Sequence, residues 1–174
     1  TLEDGIPLLA KDRLAIAKKI VNTAKEYGIR KEDVIIDALT LTASAQQKEV
    51  KETLKAIQLI KEELGVRTVL GVSNVSFGLP NRPLLNKTFL SLAMHSGLDM
   101  AIINPLDKEL MDTIDAYHVL MNIDKESKNY ISKQSNVDVK KNKTTDLSLE
   151  DMIILGVKDE IEEKTKQLLL DHNP

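Results

Sequence analysis

The sequence predicts a parallel α/β fold, and three observations carry that prediction. Short apolar runs of aliphatic and β-branched residues recur at 34–36, 68–72 and 100–103, each delivering polar residues at its carboxyl end. That is the profile of strands buried on both faces of a helix-covered parallel sheet. Amphipathic helical stretches with short connections separate them, so strand and helix alternate. Finally, neither G-x-G-x-x-G nor G-x-x-x-x-G-K-[ST] follows any strand, which removes the usual nucleotide signature of an open doubly wound sheet and favours a barrel.

Each element has its own signal. Residues 8–27 place Leu14, Ala17, Ile20, Val21 and Ala24 at helical spacing, and Gly28 ends the stripe. The run Val34-Ile35-Ile36 leads into Asp37. A second helix over 46–64 repeats the pattern through Val50, Leu54, Ile57 and Ile60 and closes at Gly65. The strand 68–72 delivers Ser73 and Asn74. A third helix over 83–95 stops at Gly97, the strand 100–103 ends at Asn104-Pro105, and a fourth helix covers 108–121. From 125 to 146 the chain is polar with little apolar periodicity and reads as a linker. Ser148, with Asp151 three residues on, then reads as an N-cap opening two short helices.

Composition narrows the functional classes. With 42% hydrophobic and 29% charged residues the chain is globular, and with 3% aromatics it lacks the stacking platforms of single-strand binders. A net charge of −3, from 24 basic against 27 acidic residues, argues against a nucleic-acid partner. The absence of Cys excludes disulfides, thiolate zinc sites and cysteine nucleophiles. Neither a signal segment nor a membrane-length apolar run is present, so a cytoplasmic location without membrane association is expected.

In parallel α/β proteins ligands sit outside the carboxyl ends of the strands. There the sequence offers Asp37 with Thr40 and Thr42, then Ser73, Asn74 and Ser76, then Asn104. A carboxylate and two carboxamides could converge on one small ligand rich in N–H donors and ring nitrogens. Taken alone, Asp37 fits helix capping or a loop ion pair as well, and Asn74 fits a turn residue. Arg82, in the rigid loop before the third helix, fits an anion grip or a surface pair. The histidines, His95, His118 and His172, lie in or near helices away from the strand ends and read as structural. Asp107, Glu109, Asp112 and Asp115 read as a solvated helix face.

At these residues a resemblance appears. Ile36-Asp37-Ala38-Leu39-Thr40-Leu41-Thr42, Gly71-Val72-Ser73-Asn74-Val75-Ser76-Phe77-Gly78-Leu79-Pro80-Asn81-Arg82 and Gly97-Leu98-Asp99-Met100-Ala101-Ile102-Ile103-Asn104-Pro105 resemble the pterin-binding domain of cobalamin-dependent methionine synthases. The likeness covers about residues 1–121, and the tail from 147 is similar to the first helices of the cap preceding the cobalamin domain. It implies the C-terminal part of a dihydropteroate-synthase-like (β/α)8 TIM barrel, with its last three strands and last four helices. On that reading 1–124 is barrel, 125–146 linker and 147–174 truncated cap, and 174 residues fall short of the roughly 250 of a full barrel.

The resemblance also implies a function. The family transfers the N5 methyl group of 5-methyltetrahydrofolate to cob(I)alamin, in one-carbon metabolism leading from homocysteine to methionine. It implies pterin binding by Asp37, Asn74, Arg82 and Asn104, with Asn74 as the catalytic group near N5. Cobalamin and the zinc of the homocysteine site are expected on modules outside this chain, which become its partners. Residues 1–174 alone are expected to be inactive or nearly so. A methyltransferase acting on a corrinoid iron–sulfur protein, and a non-catalytic folate-binding or self-associating half barrel, are the alternatives.

Overall fold

In α1 (Ala10–Glu26) the helical spacing of Ala10, Leu14 and Ala17 buries one stripe, and Arg13 lies buried within it. The computed structural model describes residues 5–141, 161, 165 and 166. A short β1 (Ile35–Asp37) follows, then α2 (Glu49–Leu64), which buries Thr53, Ala56, Ile57 and Ile60. Gly65 closes α2 at φ 59°, its N–H donating to the carbonyls of Ile60 and Lys61; this left-handed cap is where glycine is favoured. Next come β2 (Arg67–Gly71), a 3-10 turn (Val72–Ser76) and α3 (Arg82–His95), which has Pro83 in its first turn. The series ends with β3 (Met100–Ile102) and α4 (Lys108–Leu120).

The three strands pair in parallel in the order β1-β2-β3, with Asp37 opposite Val69 and Gly71 opposite Ile102. One cluster joins Leu14 and Ala17 of α1, Ile57 and Ile60 of α2, and Leu90 and Ala93 of α3 with Ile36 and Leu70 of the sheet. Ile57, Ile60, Leu70 and Leu90 are all fully buried. Truncating any of them to Ala therefore costs about 2–5 kcal/mol. Asp99 ties β2 to the start of β3 by accepting from Thr68 N at 2.7 Å and from Lys61 Nζ at 2.8 Å.

One expectation is corrected. The strands are not buried on both faces: Ile36 and Leu70 lie against the helices, whereas Ile35 is 48% and Ile102 63% exposed. Alternation along β1 and β2, with helices packed on the Ile36 and Leu70 side, leaves residues such as Ile35 on the other face uncovered. The polar stretch 125–146, expected as a linker, is helical in its described part, which carries a 3-10 turn (Lys125–Ser127) and α5 (Lys128–Lys141). No Gly or Pro interrupts 125–141, and its Lys and Gln residues are good helix formers, so polarity there does not prevent a helix.

The chain divides into two compact units, Thr1–Ser127 and Lys128–Pro174. The cap helices expected from 147 lie mostly outside the described residues; Ile161, Thr165 and Lys166 are helical. Among the described residues no helix is long and apolar enough to cross a membrane.

Candidate functional site

The carboxyl edge of the sheet gathers the polar residues singled out in the sequence. Asp37 is the last residue of β1, Asn74 lies in the turn that leaves β2, and Asn104 stands two residues past β3. Neighbouring strands are about 4.8 Å apart, so the three ends span roughly 10 Å, a width a bicyclic ligand can bridge.

Asp37 is exposed, and its Oδ1 accepts from the amide of Leu39 at 2.9 Å. Leu39 itself has a positive φ of 64°. The loop that follows is fastened to the next one: Ala43 N donates to Val75 O at 2.9 Å, and Ser44 Oγ donates to Phe77 O at 2.8 Å. The segments carrying Asp37 and Asn74 are thus joined beyond the sheet.

Residues Val72, Val75 and Ser76 are buried and anchor the turn after β2, while Ser73 and Asn74 face outward. Asn74 lies back over Gly71, where an added Cβ would meet its Nδ2 at 3.1 Å. Arg82 turns into this loop: its Nε donates to Ser76 Oγ at 3.0 Å, an Nη2 donates to Ser73 O at 3.0 Å, and the guanidinium stands 5.7 Å from the Phe77 ring centroid. Arg82 therefore braces the Asn74 turn. Asn104 Oδ1 accepts from Leu106 N at 3.0 Å, an Asx turn leading to α4.

These residues do not all share one concavity. Asn104 and Ser73 line a cavity of about 270 Å³ with Asn86, whose buried Oδ1 has no partner. Asp37 lines a smaller one, about 70 Å³, with Arg13, Pro7 and Leu39. The hydroxyl of Thr40, next in sequence to Leu39, is buried without a hydrogen-bond partner. Asp107, expected on a solvated face, is instead the N-cap of α4 and accepts from Leu110 N at 3.2 Å.

Arg13 and Thr53 had no place among the candidates. Arg13 is 5% exposed and donates through Nε to Pro7 O (2.9 Å) and through Nη1 to Ala38 O (3.0 Å), Leu39 O (3.0 Å) and Thr53 Oγ1 (2.8 Å). Burial pushes its guanidinium pKa down, with Glu52 and Glu49 opposing that shift. A signal did exist, since Arg13 sits on the same stripe as Ala10, Leu14 and Ala17, where a charge is buried only if it is hydrogen-bonded.

Among the described residues no group of three or more His, Cys, Asp or Glu could hold a metal ion. The strand-end acceptors suit a neutral or protonated heterocycle with N–H donors. Residues 9–104 match the model of the pterin-binding enzymes. The chain is 29% identical over 127 residues to a methylcorrinoid:tetrahydrofolate methyltransferase of Eubacterium limosum, covering 72% of this chain and 47% of that protein. It is 36% identical over 110 residues to the methionine synthases of Mycobacterium tuberculosis and Mycobacterium leprae, covering 59% of this chain and 9% of each relative. The chain thus spans less than half the length of these curated relatives.

Proposed function

Because this chain belongs to the pterin-binding enzyme family, we propose that it binds 5-methyltetrahydrofolate at the carboxyl edge of its sheet and takes part in methyl transfer between folate N5 and a corrinoid. The observation that carries this reading is the placement of Asp37 and Asn74 at the ends of adjacent parallel strands, inside the matched region.

The chemistry suits the residues. A pterin presents an aminopyrimidinone edge whose N–H donors complement a carboxylate, and Asp37 already has one oxygen fixed by the Leu39 amide. A ligand lacking those donors leaves the carboxylate unpaired, which gives discrimination. A neutral tertiary amine is a poor leaving group, so methyl loss from N5 needs that nitrogen protonated. The Asn74 carbonyl oxygen accepts from N5–H and stabilises the charged form as the reaction proceeds. As the methyl bond breaks, its electron pair returns to N5. Arg82 holds the turn that presents Asn74, and Asn104 stands past the end of the third strand, in the neighbouring cavity.

A corrinoid supplies the metal nucleophile that accepts the methyl group. The sequence contains no Asp-x-His-x-x-Gly cobalt-ligating motif, so no residue of this chain is assigned to holding it. On the methionine synthase reading, corrinoid and homocysteine sites with their zinc belong to other modules of a longer protein. The winding favours a barrel segment: strands in sequence order, with α2 and α3 contributing to one core cluster on the same side.

A second reading is a methyltransferase that serves a separate corrinoid protein. What favours it is that the Eubacterium limosum relative covers 72% of this chain, against 59% for the methionine synthases. Full-length protein mixed with 5-methyltetrahydrofolate and free cob(I)alamin tests both readings through the visible spectrum of the corrinoid. Methylcobalamin is the expected product; no methylcobalamin above the uncatalysed background overturns the shared chemistry. Addition of homocysteine then separates the two, since methionine forms only on the first.

A further inference from the structure

We infer that Arg13 is a positioning residue for the pterin site: with Thr53 it holds Leu39 in a left-handed conformation, so that the Leu39 amide fixes the Asp37 carboxylate. The inference rests on the reading of Asp37 as the pterin-binding carboxylate.

Three links make the chain of contacts. Leu39 has φ 64°, a conformation that a residue with a Cβ adopts only when its surroundings impose it. Its carbonyl accepts from Arg13 Nη1 at 3.0 Å and from Thr53 Oγ1 at 3.2 Å, which supplies the imposition. Its amide donates to Asp37 Oδ1 at 2.9 Å, which converts the backbone conformation into a side-chain orientation. β1 ends at Asp37, so the ladder with β2 does not hold the turn that follows. Arg13 does so from below, also bonding the carbonyls of Ala38 and Pro7.

Charge and shape both matter at this position. Arg13 is 5% exposed, so water does not compete for its donors. The guanidinium reaches the Pro7, Ala38 and Leu39 carbonyls at once, which the compact ammonium of Lys cannot. Thr53 lies on the buried face of α2 and completes the clamp by accepting from Arg13 while donating to Leu39. The amide end of α1 is fixed in the same neighbourhood, since Ala10 N donates to Glu52 Oε2 at 2.7 Å. Asp37 is exposed, and among the described residues the Leu39 amide is the hydrogen-bond partner that selects its rotamer. Without that bond, binding would have to order it.

The test uses the full-length protein and titration with 5-methyltetrahydrofolate, alongside the rate of methyl transfer at saturating folate. Arg13→Met is expected to weaken folate affinity about tenfold, the effect of ordering a freed side chain and turn at binding, while the saturated rate stays within about threefold because Asn74 is carried by another strand. Adding Leu39→Gly to Arg13→Met should recover much of the lost affinity, because glycine adopts positive φ without the clamp. A role confined to stability would shift the melting temperature of Arg13→Met and show no such rescue. Thr53→Val is the gentler variant if Arg13→Met does not fold; it keeps the side-chain volume, removes the hydroxyl and should weaken affinity about threefold. Wild-type affinity in a folded Arg13→Met or Thr53→Val, or no rescue by Leu39→Gly, overturns the inference while Asp37→Asn still binds weakly. Wild-type affinity in Asp37→Asn instead overturns the pterin reading itself.

Discussion

The side chain of Asn74 rests against Gly71: a Cβ at residue 71 would stand 3.1 Å from Asn74 Nδ2 and 3.7 Å from its Cγ. Gly71 has φ −78°, so the backbone accepts any residue and only the side-chain approach is affected. In Gly71→Ala the exposed Asn74 must move by a few tenths of an ångström. We expect stability unchanged within about 0.5 kcal/mol and, on the proposed role of Asn74 at N5, methyl transfer slowed about tenfold or more, because misplacing such a group is costly. Thermal unfolding and steady-state rates on the full-length variant check the two halves.

Arg82 makes a different prediction from that of a residue whose only role is to touch the ligand. Its bonds to Ser76 Oγ and Ser73 O, both 3.0 Å, hold the turn that carries Asn74. Arg82→Met retains the aliphatic stem and loses both donors, so the turn loosens. Methyl transfer at saturating folate should fall about tenfold, and Arg82→Lys should not restore it, since an ammonium cannot reproduce the two-nitrogen geometry. A change in folate affinity alone, with the saturated rate intact, would assign Arg82 to ligand contact.

Acid stability should report on Asp99. Burial pushes its carboxyl pKa up, but bonds from Lys61 and from the amide and hydroxyl of Thr68 outweigh this, so the net shift is downward. A carboxylate with a depressed folded pKa contributes stability that is complete above its unfolded value, near 3.9, and is lost as pH falls through the folded value. Asp99→Asn should cost about 0.5–1 kcal/mol near neutrality, solvent screening limiting the effect of this exposed carboxylate, and the gap from wild type should close below about pH 4. Urea unfolding of both proteins across that pH window measures it.

Periodicity was enough to locate the three strands and the four helices around them, because a buried stripe on α2 or α3 repeats visibly through residues such as Ile57, Ile60, Leu90 and Ala93. What periodicity cannot carry is direction. It did not show that Arg82 turns inward to Ser73, that Asp107 caps α4, or that the strand end at Val72 curls into a 3-10 turn anchored by Val75. Arg13 is the sharpest case: its burial depends on carbonyls at Pro7, Ala38 and Leu39, which only the packing of α1 on the β1 end brings within reach. In 128–141 polarity masked a helix: no Gly or Pro breaks it, but its sparse apolar residues give no stripe for periodicity to read.

The central claim is that Asp37 receives the N–H donors of a pterin, and Asp37→Asn tests it most directly. The substitution keeps an acceptor for the Leu39 amide, 2.9 Å away, but sets an NH₂ donor or a neutral carbonyl against the ligand in place of a carboxylate oxygen. Isothermal titration of 5-methyltetrahydrofolate into the full-length protein should give a Kd weakened by about 10- to 100-fold relative to wild type. An unchanged Kd in the folded variant would contradict the account.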